Sequence, residues 1–160
     1  MSEIATVIGD NKVFGYELRK KGSIPLERFH KALVPWFSKY KYLFNEKGIT
    51  HKDTVDPIEQ YIVWIATRNI DSYFRFHINV NIVSLRQKQG RGEIVIQFRG
   101  YLEKDYRNSF EKLGNFGKTL RRIFERYVIK EKAEAMEDKV RAETNEFIQE
   151  TKRVLNFLVR

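Results

Sequence analysis

Two runs of alternating character constrain this chain more than any other feature. Phe74, Phe76, Ile78, Val80 and Ile82 occupy every second position, and Ile94, Ile96, Phe98 and Leu102 repeat the habit further along. A period of two marks a β-strand, whose successive side chains point to opposite faces. The interleaved residues are Arg75, His77, Asn79 and Asn81 in the first run and Gln97, Arg99 and Tyr101 in the second. Such runs predict an antiparallel sheet with one packed face and one face meeting water. Between them "RQKQGRG" offers two glycines for a turn, and another apolar run precedes. A meander of three strands is therefore expected over residues 59–69, 72–86 and 91–103.

The flanking segments follow other rules. β-prone runs at 4–8 and 13–19 surround Gly9-Asp10-Asn11 and read as a hairpin. Leu26, Phe29, Leu33, Phe37 and Tyr40 recur at steps of three and four, the spacing of one helix face; Ser23 before Pro25 suits the start and Gly48 the stop. Pro35 inside that pattern removes an amide donor and crowds the preceding turn, which predicts a kink or two short helices meeting at Val34–Pro35. After a loop around Gly114 and Gly117, neither glycine nor proline occurs from Lys118 to Arg160. Leu120, Ile123, Phe124 and Tyr127 begin an apolar stripe that Met136, Val140, Phe147, Val154 and Leu158 extend. An unbroken helix there reaches about 60 Å, wider than a small domain. Part of it must protrude, break or pack on another chain, and its seven-residue steps nominate it as a coiled-coil or partner-docking seam for a homo-oligomer.

Hairpin, kinked helix, meander and long helix together predict an α+β fold, an antiparallel sheet packed by helices. Residues 1–128 are expected to form the α+β domain and 129–160 a C-terminal helical extension of it. In element order the chain resembles the helix-grip folds of the START type, in which a curved sheet wraps a C-terminal helix. That resemblance implies a carrier for an apolar ligand, enclosed between sheet and helix near Phe74, Phe76, Phe98, Phe116 and Phe124. The helix–strands–helix portion is also similar to an enlarged double-stranded-RNA-binding domain.

Composition narrows the chemistry. Without cysteine there are no disulfides, thiolate metal sites or cysteine nucleophiles, and the chain suits a reducing, cytoplasmic setting. The longest wholly apolar run, Ile62 to Ala66, is far short of a membrane span, and the N-terminus lacks the order of a signal peptide. The net charge of +9 is unevenly placed, with thirteen Lys/Arg against six acids between residues 61 and 128. An excess of that kind attracts polyanions, nucleic acid among them.

The strongest candidate site is therefore cationic. Arg86, Lys88 and Arg91 crowd the expected hairpin tip; Lys118, Arg122 and Arg126 fall at four-residue steps on one helix face, with Arg121 beside them. Arg75, His77 and Arg99 on the polar side of the sheet complete the expected surface. Tyr73 and Tyr101, expected on that same side, are candidate platforms for stacked bases. His77 among arginines is also a possible general base, for which Glu93 and Asp105 are the nearest acids in sequence. The three histidines show no metal-ligand spacing, so neither metal nor cofactor is expected. "GNFGKTL" imitates a phosphate loop, but Lys112 stands where its first glycine belongs, leaving a simple helix start. The expectation is a non-catalytic binding module, with catalysis the least supported class.

Overall fold

The computed structural model describes residues 3–8, 11–22, 24–50, 58–85 and 92–158. The fold is α+β. Six strands, β1 (Glu3–Ile8), β2 (Asn11–Lys21), β3 (Leu43–Thr50), β4 (Ile58–Asn69), β5 (Phe74–Leu85) and β6 (Glu93–Lys104), form one antiparallel sheet in the order β1-β2-β6-β5-β4-β3. The N-terminal hairpin thus joins the meander along its last strand, with Tyr16 opposite Phe98 and Leu18 opposite Ile96. Alternation worked as expected in β5: Phe74, Phe76, Ile78, Val80 and Ile82 are buried, while Arg75, His77, Asn79 and Asn81 are half-buried on the other face.

Helix α1 (Leu26–Lys39) turns Phe29, Leu33, Trp36 and Phe37 onto the packed face. Pro35 lies at an exposed position inside one helical element, rather than between two short helices. The expected stop at Gly48 fails: the helix ends well before it, because Lys41 adopts φ 60°. Its amide donates to the Ser38 carbonyl and that of Tyr42 donates to Phe37 at 2.8 Å, while the Tyr42 and Phe37 rings meet edge to face. This is a Schellman stop built without the usual glycine. The chain then leaves as β3, a strand that the helical spacing concealed, and Gly48 sits within it.

The C-terminal segment is not one helix. A 3₁₀ turn (Glu111–Leu113) leads into α2 (Gly114–Ile123), followed by a π turn (Phe124–Val128) and α3 (Lys130–Leu158). Gly114 and Gly117, expected in a loop, belong to the first turn of α2. The break comes at Ile129, whose backbone leaves the helical region at ψ 8°. From there α3 crosses the packed face of the sheet, burying Ala133, Val140, Phe147, Ile148, Val154 and Leu155. Phe147 is wholly buried and meets the rings of Phe37 at 4.7 Å, Trp36 at 4.9 Å and Phe98 at 6.0 Å. Most of the seven-residue stripe proposed as a seam between chains therefore lies against this chain's own sheet.

Two contacts fix the seat of α3. Thr144 packs directly over Gly100 of β6, where an added Cβ would stand 2.0 Å from Thr144 Oγ1. The Thr144 hydroxyl is satisfied within its own helix, donating to the Val140 carbonyl at 2.7 Å. Further along the sheet, Arg68 donates to both oxygens of Glu143, at 2.8 and 3.0 Å, and to the Tyr40 carbonyl at 2.6 Å. The Tyr42 hydroxyl donates to Glu143 at 2.5 Å, and burial, then the neighbouring carboxylate, pushes its pKa far above the usual phenol range.

Crowding at Gly100 leads to a sharp expectation. Gly100→Ala should cost about 1–3 kcal/mol, as overpacking does in a filled interior. Gly48→Ala, whose new methyl meets open space, should change stability by no more than about 0.5 kcal/mol. Urea denaturation of both variants checks this; equal midpoints would mean that the seat is not closely packed.

Candidate functional site

Cross-strand register assembles the polar face of the sheet. Opposite pairs are Arg75 with Glu103, His77 with Tyr101, Asn79 with Arg99 and Asn81 with Gln97. The acid that serves His77 is neither Glu93 nor Asp105 but Glu103, placed diagonally across the ladder, with Nε2 and Oε2 2.5 Å apart. Glu93 lies at the far end of β6, opposite Leu85. Asp105 is buried in the turn beyond β6, where it accepts hydrogen bonds from the Ser109 and Phe110 amides.

Glu103 also faces the Arg75 guanidinium at 3.6 Å. Arg75 is held further by Asn69 at 2.8 Å and by the Tyr106 ring at 4.1 Å. His77 is nearly covered, with 14% of its side chain exposed, and lies flat on Tyr101 with centroids 4.5 Å apart and rings 4° from parallel. Burial, then the Glu103 charge, raises the Tyr101 pKa, against a hydrogen bond with Asn79. Nearby, Arg19 and Gln97 both donate to Glu17. On this face Arg19, Arg75 and His77 each have a carboxylate beside them, and among its expected cationic residues Arg99 is the exposed one.

The basic stretch after β6 is arranged differently. Lys118, Arg122 and Arg126 are exposed, and no acid partners them among the described residues. Arg121 is set apart from that row. It is half-buried, donates to Glu125 at 2.9 Å, and shares that carboxylate with the Tyr73 hydroxyl at 2.6 Å. Tyr73 packs among Phe110 and Phe124, and burial, then Glu125, drives its pKa well upward. Neither tyrosine nominated for base stacking is free to serve: His77 covers Tyr101, and Tyr73 is built into the anchor of α2. The expected hairpin-tip cations Arg86, Lys88 and Arg91 lie outside the described residues.

The anchor itself is compact. Gly117 lies so close to the backbone of Phe110 that a Cβ would sit 1.9 Å from its carbonyl oxygen. Asp105 and Asn108 adopt positive φ to fold the preceding turn, and the Tyr106 hydroxyl donates to the Asp71 carbonyl at 2.7 Å. Asp71 accepts from the Tyr73 and Phe74 amides, each at 2.8 Å, and pairs with Lys132 of α3 at 2.9 Å.

Unexpectedly, much of the apolar stripe of α2 faces outward. Phe116, Ile123 and Tyr127 are 68%, 49% and 73% exposed, and Leu113 just before α2 is 52% exposed. Hydrophobic periodicity put Leu120, Ile123, Phe124 and Tyr127 on one stripe; Phe124 turns toward the body, with Arg121, while Ile123 and Tyr127 do not. Nor do the five phenylalanines assigned to an apolar cavity line one space: Phe74, Phe76 and Phe98 are fully buried in the core, Phe124 is half-buried and Phe116 is exposed. An open groove of about 590 Å³ does run between α1 and the end of α3, lined by Arg28, Lys31, Ala32, Arg153, Val154, Phe157 and Leu158.

Of the other histidines, His30 pairs with Glu46 at 3.0 Å and meets Trp64 edge-on, and His51 lies outside the described residues. No described helix is long and apolar enough to cross a membrane. Comparison with protein-family models and with curated protein sequences gives no match, so geometry alone carries the reading of the site.

The Asp71 junction has a pH signature. Burial works to raise its carboxyl pKa, but Lys132 and the two backbone amides together hold it below the ordinary value of 3.8. A depressed folded-state pKa contributes stability that is present above the unfolded value and lost as pH falls through the folded one. Wild type should therefore lose stability below about pH 4 more steeply than Asp71→Asn. Denaturant midpoints measured from pH 6 down to pH 2 test this, and parallel curves would count against the junction.

Proposed function

We propose that this protein is a non-catalytic binding module that engages a polyanion through the cationic row that runs from α2 into the π turn, Lys118, Arg122 and Arg126. One contrast carries the reading. On the sheet Arg75 is matched by Glu103 and Arg19 by Glu17, whereas Lys118, Arg122 and Arg126 are exposed and lack an acid partner among the described residues, three in a row at the edge of the fold. Like charges four residues apart on a helix repel by a few tenths of a kcal/mol per pair, and an anionic partner removes that repulsion. The surrounding stretch adds to the field, because residues 106–130 hold seven Lys/Arg against two acids.

His77 and Glu103 lie in contact, but the ring is pressed on Tyr101 and its side chain is only 14% exposed. This favours a structural role for the pair.

Binding of this kind weakens steeply with salt, by about 0.7–0.9 in the log–log slope for each phosphate neutralised. Anisotropy titrations with a labelled oligonucleotide and with heparin, over a range of salt, should give a negative slope. The triple variant Lys118→Ala, Arg122→Ala, Arg126→Ala should make that slope shallower by about 2. Unchanged affinity in the triple variant would refute the assignment to α2.

A further inference from the structure

We propose that the polyanion is the surface of an acidic lipid bilayer, with α2 lying in the headgroup layer and its apolar edge inserted. This rests on the polyanion reading and asks which anion suits the whole of α2 rather than its charges alone. At 3.6 residues per turn, Phe116, Leu120 and Ile123 share one edge of α2, Leu120 half-buried and the other two exposed, and Tyr127 is exposed beyond them in the π turn. Leu113 precedes them in the adjoining turn. Lys118 and Arg122 stand roughly 150° around the helix from that edge, and Arg126 follows in the π turn with its guanidinium over the Tyr127 ring at 5.7 Å. Phe124 and Arg121, on the opposite side, hold the helix to the body through Tyr73, Phe110 and Glu125. The exposed half of α2 is therefore apolar along one flank and cationic along the other, the two kinds of side chain carried by a helix that lies in a membrane interface.

The other polyanions fit less of this surface. A nucleic acid would use the cations and stack bases on Phe116 and Tyr127. It offers little to Leu113, Ile123 or Val128, which are exposed and have no π face. A second copy of the same helix would bring one cationic row against another. Acyl chains accept aliphatic and aromatic side chains alike, and lipid phosphates or carboxylates meet the cations. The tight packing of Gly117 on Phe110 presents the helix as a fixed edge, so little ordering is left for the moment of contact.

The test uses the full chain in flotation with vesicles of phosphatidylcholine alone and of phosphatidylcholine mixed with phosphatidylglycerol. Wild type should float with the acidic vesicles and stay behind with the neutral ones. Phe116→Ser with Ile123→Ser changes two exposed residues, keeps every cation, and should lower partitioning by about tenfold or more. The triple alanine variant of the cationic row should bring binding down to the neutral-vesicle level, since each cation at an acidic leaflet contributes about a fivefold factor. A separate variant, Phe116→Trp, should gain a blue-shifted emission on acidic vesicles, a readout that keeps the test valid if the serine variant folds poorly. Equal flotation of wild type and serine variant, with no blue shift, overturns insertion and leaves the polyanion reading standing. Binding of an oligonucleotide without any flotation overturns the lipid assignment in the same way. Failure to bind vesicles, oligonucleotide and heparin overturns both.

Discussion

The layout of this molecule depends on how closely α3 lies against β6. Gly100 supplies the space, Thr144 fills it, and Phe147 drives into the ring cluster beside it. The Arg68–Glu143 bridge, joined by Tyr42, ties the same helix to β4 and to the chain leaving α1. A partly buried bidentate pair of this kind adds little net energy relative to apolar packing, yet losing one partner strands the other, so it works chiefly as a positioning device. With α3 seated so precisely in register, the preceding residues must emerge at one end of the sheet. The break at Ile129 and the π turn before it then carry α2 away from the packed face.

Charge follows from that geometry. Strand pairing sets acids beside bases at fixed distances, so Glu103 serves both Arg75 and His77, and Glu17 serves Arg19 and Gln97. Helix α2 sits at the margin, where Glu125 is engaged by Arg121 and Tyr73 and is not available to the outer row. The same positioning exposes apolar residues. An amphipathic helix normally turns its greasy side inward; here the inward side is Phe124 with a hydrogen-bonded Arg–Glu–Tyr group, and the greasy side is left over for a partner.

Much of this was legible in the residues themselves. Alternation in β5 and β6 predicted the strands, their buried sides and the polar row, because a period of two leaves no freedom about which residues share a face. The spacing of Phe29, Leu33 and Phe37 revealed α1. Its end was hidden, since Lys41 takes a left-handed conformation that sequence rules reserve for glycine or asparagine. Without that stop, β3 merged into the helix. The role of Glu103 was also out of reach: it follows from a diagonal across a ladder whose register no single strand encodes. For α2, periodicity put Leu120, Ile123, Phe124 and Tyr127 on one stripe, but the fold separates Phe124, turned toward the body, from the exposed Ile123 and Tyr127. Only the fold shows that Tyr73 and Phe110 claim the Phe124 side. A signal was present in Leu113, Phe116 and Tyr127 flanked by unmatched cations, a pattern that suits an interface as well as a core.

The central claim is that this chain meets its partner with the outer side of α2 and not with the polar face of the sheet. Because the sequence has no cysteine, single spin labels can be placed at Thr119→Cys beside the row and at Asn81→Cys on the sheet without further change. Electron paramagnetic resonance on adding acidic vesicles or heparin measures the two sites directly. Immobilisation of the label at 119, with that at 81 unchanged, is the result this account predicts. Immobilisation at 81 alone would contradict it.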